Sequence, residues 1–306
     1  NGREKAVTQG LIFLENKIEK LLNDLFNSIE TYSIERNELD ESDKKIRIYC
    51  SRGGMRSLSI GWLLEKYDFN VVTLKDGYKK YRKWIIDSFS KNWNIIVLGG
   101  KTGTGKTRLL RLLEKNRIQV IDLEGYASHR GSTFGGLGMQ EQPTNENFEN
   151  IIAEKLNKFR KSEPIFVEAE SSNIGKCKIP HELFNQMKKS SRIEIIRSES
   201  NRIDELIKTY SIYDKKDLEE SVLRIKKRLG PQRTKLALDS INSSKWDLVC
   251  KAVLQYYDKC YEYEKVGKGN IKSLDLTDLD YDKNILMIIS DIYKMELNEN
   301  SKSFLE

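Results

Sequence analysis

The sequence predicts an α/β protein built on parallel sheets, with a helical region at its C-terminal end. Three observations carry that reading. Short apolar runs alternate with helical segments through roughly the first two-thirds of the chain, in the strand–loop–helix order of parallel units. Two of those runs feed directly into glycine-containing loops, Cys50–Arg56 and Gly100–Thr107. From about Arg202 onward the pattern is helical with little β signal. The 306 residues suit two domains with a helical appendage, divided here as 1–91, 92–200 and 201–306.

Taken in order, Leu11, Leu14, Ile18, Leu21, Leu22, Leu25, Phe26 and Ile29 recur at three- and four-residue spacing, which predicts an amphipathic helix over 11–39. The polar stretch Asn37–Lys45 leads into a short strand, Ile46–Tyr49, and then the Cys50 loop. Ser57–Tyr67 reads as a helix, Val71–Leu74 as a strand, Asp76-Gly77 as a turn and Tyr78–Phe89 as a helix. A second unit opens with the nearly unbroken apolar run Asn94–Leu98, followed by the Gly100–Thr107 loop and a helix over Arg108–Glu114. Gln119–Leu123 is a strand. Gly125–Pro143 is too long and too glycine-rich for an ordinary connector, and such loops in compact domains are usually functional. Phe148–Phe159 reads as a helix, Pro164–Val167 as a buried strand running into Glu168-Ala169-Glu170-Ser171, and Ile193–Ile196 as a further strand. The polar tail after about Leu297 reads as frayed.

Composition bounds the function. Hydrophobic residues at 38% can bury sizeable cores, and the 32% of charged residues are mixed in sign, as in a soluble globular protein. The net charge of +7 is a mild bias toward polyanions. Four cysteines, none in C-x-x-C spacing, argue against a disulfide framework and for a reducing cytoplasm. His129 and His181 are the only histidines, so a histidine-rich metal site is excluded. No apolar run approaches the length of a membrane span. The first residue is Asn1 rather than Met, which reads as a processed product or a fragment.

The Cys50 loop has the parts that make a thiolate. Cys50 ends a strand, Gly53 and Gly54 let backbone amides approach it, and a helix N-terminus follows with its partial positive charge. Arg56 can hold an oxyanion bidentately, and Arg52, Gly53 and Gly54 are candidates to lie near the substrate. The same C-x(5)-R shape serves persulfide chemistry or phosphate-ester cleavage, and the spacing alone does not separate them. The second loop matches G-x-x-x-x-G-K-[ST] in full, between a strand and a helix. Gly100, Gly103 and Gly105 would let backbone amides cradle a di- or triphosphate, Lys106 would reach its terminal phosphates, and Thr107 is a candidate Mg²⁺ ligand. Glu168 and Asp122, near strand ends, are candidate acidic partners of that site.

Further segments extend the pattern. They are Tyr49-Cys50-Ser51-Arg52-Gly53-Gly54-Met55-Arg56-Ser57, Gly103-Thr104-Gly105-Lys106-Thr107, and Asp122-Leu123-Glu124-Gly125-Tyr126-Ala127-Ser128-His129-Arg130-Gly131-Ser132 with Phe134-Gly135. Gln142-Pro143, Phe148-Glu149, Glu168-Ala169-Glu170-Ser171 and Ile174-Gly175 follow. In this order they resemble the bacterial tRNA 2-selenouridine synthase family, over about residues 2–260. The D-L-E-G…H-R-G-S segment is the most specific part, because generic P-loop ATPases lack it.

The resemblance implies a rhodanese-like parallel-sheet domain, here without its first strands, then a P-loop NTPase-like α/β domain and the helical C-terminal region. It implies a transferase that replaces sulfur by selenium in wobble 2-thiouridine of tRNA, with selenophosphate as donor, by way of S-geranylation with geranyl diphosphate. Cys50 would then serve the chalcogen exchange with Arg56. Lys106 and Thr107 would hold the pyrophosphate, and His129, Arg130 and Glu168 would lie near it or near the thiouridine, with Arg52, Gly53 and Gly54 near the substrate or tRNA. No tightly bound cofactor is implied. The partners implied are tRNA and a prenyl diphosphate. Two departures stand out: the D-V-R strand and E-x-x-x-G-H-I segment of a rhodanese domain are missing ahead of Cys50, and Ser51 replaces a large aromatic residue. The other class of reading is a P-loop ATPase or kinase with a rhodanese-like sulfurtransferase module, and a third is an RNA-binding module without catalysis. Candidate RNA contacts are Arg224, Lys226, Lys227, Arg228, Arg233 and Lys235, then Lys79, Lys80, Arg82 and Lys83. Tyr256, Tyr257, Tyr261 and Tyr263 sit at helical spacing that favours packing over base stacking.

Overall fold

The computed structural model describes residues 17–35, 45–263 and 269–300, with isolated positions 2, 5, 8–10 and 12 ahead of them. The chain divides into two compact units, Asn1–Tyr81 and Arg82–Glu306. The sequence places this division after residue 91. The compact units part within the helix Tyr78–Phe89.

In the first unit, helix α1 (Ile18–Glu35) covers the described part of the amphipathic segment; 11, 13–16 and 36–39 lie outside the described residues. Leu22 is buried, and Phe26 stacks on Phe69 at 5.6 Å and meets the edge of Tyr67 at 5.5 Å. Strands β1 (Lys45–Ile48) and β2 (Asn70–Thr73) pair in parallel, Lys45 opposite Asn70 and Ile48 opposite Thr73. Helix α2 (Met55–Glu65) connects them. Gly61 lets α2 lie close to β2: a Cβ there would sit 3.0 Å from Thr73 Cγ2. Helix α3 (Tyr78–Phe89) then leads into the second unit.

The second unit is built on β3 (Ile95–Gly99), every residue of which is buried. Helix α4 (Lys106–Lys115), strand β4 (Gln119–Ile121) and the short helix α5 (Leu123–Tyr126) follow. The strand expected over Gln119–Leu123 stops early because Asp122 caps α5, accepting the Gly125 N–H at 2.7 Å. Helix α6 (Asn145–Asn157), capped by Thr144, precedes β5 (Ile165–Glu168). The two-residue strands β6 (Asn173–Ile174) and β7 (Cys177–Lys178) form a hairpin before α7 (His181–Lys189) and β8 (Ser191–Ile196).

Five helices come next: α8 (Glu199–Tyr210), α9 (Lys215–Arg224), α10 (Lys226–Leu229), α11 (Pro231–Asn242) and α12 (Trp246–Tyr263). Their core gathers Leu218, Val222, Ile225, Ala237, Ile241, Val249 and Val253, with Phe134 reaching in from the glycine-rich loop.

The region expected to be helical to its end is not. Strand β9 (Ile271–Asp275) returns to the sheet before α13 (Tyr281–Asn300). The reason it escapes a pattern reading is its place at the sheet edge, where only Leu274 of Ile271-Lys272-Ser273-Leu274-Asp275 is buried. The sheet order is β4-β5-β3-β8-β9, all parallel. The chain leaves β3 for the β4 edge, comes back through β5, and later crosses to β8. The carboxyl end of β3 is therefore a topological switch point, where ligands bind in open parallel sheets. Leu109, Leu110 and Leu113 of α4 and Tyr281, Ile288 and Ile292 of α13 pack with Ile96, Leu98, Phe166, Ile193 and Leu274 of the sheet. No helix among the described residues is long and apolar enough to cross a membrane.

Candidate active site

In the first unit, Cys50 leaves the β1 end and the chain turns through Gly53 and Gly54, both at positive φ (73° and 76°). Gly54 caps α2, so the helix begins at Met55, two residues earlier than the pattern indicates, because the left-handed glycine turns the chain directly into its first turn. This brings Arg56 and Ser57 into that turn. A second turn braces the loop from outside: Tyr78 N–H donates to Cys50 O (2.7 Å), Lys79 N–H to Ser51 O (3.1 Å) and Gly53 N–H to Asp76 O (3.1 Å). Gly77 (φ 75°) makes this closeness tolerable, since a Cβ there would lie 2.6 Å from Cys50 O. Arg56 Nη2 donates to Ser51 Oγ (3.0 Å), and the Cys50 thiol donates to Arg52 O (3.1 Å). The Ser57 hydroxyl lowers the Cys50 thiol most, burial opposes it, and the amides of Ser57, Gly54 and Arg52 add smaller contributions that leave it below its usual value. Cys50, Arg52, Gly53, Gly54 and Arg56 thus form one loop around a thiol held below its usual value.

In the second unit, Gly100–Thr107 runs from β3 into α4, with Gly105 as a left-handed cap (φ 77°). Lys106 Nζ donates to Gly100 O (2.7 Å), folding the lysine back over the loop. Gly103 sits against α8, where a Cβ would meet Arg202 O at 2.7 Å. Thr107 Oγ1 donates to Glu124 Oε2 (2.7 Å), and Glu124 N–H donates to Glu168 Oε1 (2.7 Å). Glu168 is wholly buried at the β5 end and its Oε2 has no hydrogen-bond partner. Burial, then the charges of Asp122 and Glu124, push its carboxyl well above the carboxylate range; burial also raises Glu124. The expected pair of acidic residues is therefore part of a larger group that also holds Glu124 and Glu170, with Glu124 rather than Asp122 or Glu168 on Thr107. Among the described residues no group of three or more His, Cys, Asp or Glu is arranged to hold a metal ion.

The glycine-rich loop starts from the same place. His129 N–H donates to Glu124 O (3.0 Å), while its buried Nδ1 has no partner. Burial, then the Arg130 charge, lowers its pKa, which keeps the ring neutral. Arg130 turns elsewhere: it donates to Leu137 O (2.8 Å) and Tyr213 OH (3.3 Å) and lies over the rings of Tyr210 and Tyr213.

Residues that no local motif marks secure the phosphate loop. Gly100 N–H donates to the hydroxyl of Tyr261, which in turn donates to Glu194 Oε1 (2.8 Å) and accepts from the buried Arg192. Arg202 Nε donates to Thr102 O (2.8 Å), and its two terminal nitrogens meet Asp258 at 3.0 and 2.5 Å. The Tyr281 hydroxyl donates to Thr104 O (2.5 Å). Tyr257 accepts from Thr133 N–H (3.2 Å). Tyr256 packs against Tyr257 with the rings tilted at 58° and accepts from Arg228. Tyr256, Tyr257 and Tyr261 are thus engaged in packing and bracing; the Tyr263 side chain lies outside the described residues. Beside Thr102 lies an apolar cavity of about 60 Å³, walled by Phe134, Leu206, Ile207, Tyr210, Trp246 and Val253 among others.

A family model described as the tRNA 2-selenouridine synthase AAA domain matches residues 93–272, the span of the sheet, the phosphate loop and its helical neighbour. The chain belongs to the tRNA 2-selenouridine synthase family. It is, with that family, a transferase. The tRNA 2-selenouridine synthase of Sulfurovum sp. (strain NBC37-1) is 33% identical over 253 residues, covering 71% of this chain and 67% of its own. That of Pseudomonas putida (strain W619) is 32% identical over 258 residues, covering 73% and 69%. Among solved structures, the full-length tRNA isopentenylpyrophosphate transferase of Bacillus halodurans covers 70% of this chain and 100% of its own at 13% identity and a TM-score of 0.38, too remote to argue from.

Proposed function

We propose that this chain is a cytoplasmic enzyme that exchanges sulfur for selenium in wobble 2-thiouridine of tRNA, through an S-geranylated intermediate. Family membership supports the overall conversion. The observation that carries the prenyl step is the apolar cavity beside Thr102 of the phosphate loop. A diphosphate seated on the Gly100, Gly103 and Gly105 backbone, with Lys106 at its charge, has a hydrocarbon-lined space next to it, which suits a geranyl chain better than a sugar and base. The thiouridine sulfur attacks the first geranyl carbon, the carbon–oxygen bond electrons leave with pyrophosphate, and the uracil ring gives up its N–H proton. Alkylation turns a thiocarbonyl sulfur into a good leaving group: the selenium of selenophosphate bonds to the ring carbon, the carbon–sulfur bond breaks with geranyl thiolate leaving, and water cleaves the selenium–phosphorus bond to release phosphate.

The low thiol pKa and anion-holding loop support Cys50 and Arg56, with Arg52, Gly53 and Gly54, as the station for that exchange, in a rhodanese-like domain. His129, Arg130 and Glu168 belong near the diphosphate or the thiouridine. Thr107 and Glu124 fit a Mg²⁺ that arrives with the diphosphate, since Mg²⁺ keeps waters and phosphate oxygens as most of its ligands. Such an ion would screen the diphosphate from the carboxylates.

Nucleoside mass spectrometry of thiolated tRNA, incubated with the protein and geranyl diphosphate, tests the first step: S-geranyl-2-thiouridine is the expected product. The complete G-x-x-x-x-G-K-T motif favours one other reading, an ATPase or kinase with a sulfurtransferase module. Mg²⁺-stimulated ATP turnover without affinity for geranyl diphosphate would replace the first reading by that one.

A further inference from the structure

The apolar cavity and the phosphate loop share their walls. Helix α12 lines the cavity with Trp246, Val249, Cys250, Val253 and Tyr257. One turn further on, the same helix holds Asp258, which pairs with Arg202 and lies 3.9 Å from Lys101 Nζ, and Tyr261, whose hydroxyl accepts the Gly100 N–H. The facing wall is α8, which contributes Leu206, Ile207 and Tyr210 to the cavity and Arg202 to Thr102 O. Each wall therefore carries its own grip on residues 100–102, and the Arg202–Asp258 pair ties the two walls together. A group that fills the cavity sets the spacing of α8 and α12. That spacing sets where Tyr261 and Arg202 hold the first half of the phosphate loop.

We propose that Tyr261 and Asp258 are positioning residues through which an apolar group in the cavity tightens anion binding on the phosphate loop. The proposal rests on the prenyl diphosphate reading and deepens it: the site recognises the joined molecule, hydrocarbon and anion together, better than either part predicts. A ligand with only an anionic head leaves the walls at their resting spacing and binds a loop that is less well ordered. Because coupling free energy is reciprocal, the anion tightens binding of the apolar group by the same factor. Neither Tyr261 nor Asp258 lines the cavity, so changing them leaves the apolar contacts in place.

Calorimetry on the full chain, with inorganic pyrophosphate and the alcohol geraniol as separate probes, tests this. Geraniol should tighten pyrophosphate binding by about 10-fold, and pyrophosphate should tighten geraniol binding equally. In Tyr261→Phe the mutual effect should fall to about 2-fold or less, with geraniol alone binding as in the wild type. Asp258→Asn serves as the second variant, and thermal unfolding reports whether each is folded. Independent binding of the two probes to the wild type overturns the coupling while leaving the prenyl diphosphate reading in place. Coupling that survives in both folded variants overturns the assignment of Tyr261 and Asp258. Failure of geraniol to bind, with pyrophosphate still bound, overturns the cavity reading and the coupling together.

Discussion

Gly54 and Gly105 cap the helices after the two loops in the same left-handed conformation (φ 76° and 77°), yet the loops are secured in opposite ways. Around Cys50 the braces are backbone hydrogen bonds from a turn about 26 residues on, with Gly77 at the closest approach. Around Lys106 the braces are side chains from helices far along the chain, Arg202, Tyr261 and Tyr281. The polar environments differ as well. Donors from Ser57, Gly54 and Arg52 lower the Cys50 thiol, whereas burial raises the carboxyls of Glu124 and Glu168 beside Thr107. On the proposed reading, one loop generates a reactive anion and the other receives one. The comparison teaches that the same glycine device can be specialised by what stands behind it.

The sharpest way to break the comparison is at Lys106. Lys106→Ala removes the cation proposed to face the diphosphate and should weaken pyrophosphate binding by about 100-fold, measured by calorimetry. It should abolish selenium incorporation as well, because the exchange depends on prior alkylation. Cys50→Ala is the counterpart: selenonucleoside should vanish while S-geranyl-2-thiouridine accumulates. Loss of both products with intact tRNA binding would contradict that division of labour.

Cys250→Trp fills the cavity without touching the loop. It should weaken geranyl diphosphate binding by about 10-fold, while inorganic pyrophosphate binds at least as tightly as to the wild type, because the indole stands in for the apolar group. Glu168→Gln addresses stability. A carboxyl raised by burial adds stability below the usual carboxylate value of about 4.5, and that contribution is lost as pH rises through its value in the fold. Melting temperature of the wild type should therefore fall across that rise, and the neutral glutamine should flatten the slope. The smallest effect is expected from Ser57→Ala. Removing the hydroxyl raises the Cys50 thiol toward 9.0, so the rising limb of selenium incorporation against pH should move upward.

Local motifs made both loops legible before any coordinates. The glycines, Cys50, Lys106 and the strand-end Glu168 all follow from spacing within about ten residues of a strand end. The supports did not. Tyr261 acts on Gly100 across 161 residues and Tyr281 on Thr104 across 177, with no pattern in the sequence to join them. Within the D-L-E-G segment Glu124 was visible only as part of a motif, and its contact with Thr107 depends on how α5 turns off β4. Strand β9 was hidden by its polar edge face, and β6 and β7 by having two residues each. The helix over Tyr78–Phe89, in contrast, has the bounds its apolar spacing indicates, because that signal is contained within the helix itself.

The central claim is that this chain handles one thiouridine in two steps, alkylation at the phosphate loop and chalcogen exchange at Cys50. Nucleoside mass spectrometry of thiolated tRNA incubated with the protein and geranyl diphosphate, before and after addition of selenophosphate, tests it most directly. The account predicts S-geranyl-2-thiouridine first and 2-selenouridine after the selenium donor is added. Formation of 2-selenouridine from thiolated tRNA and selenophosphate with no prenyl diphosphate present would contradict it.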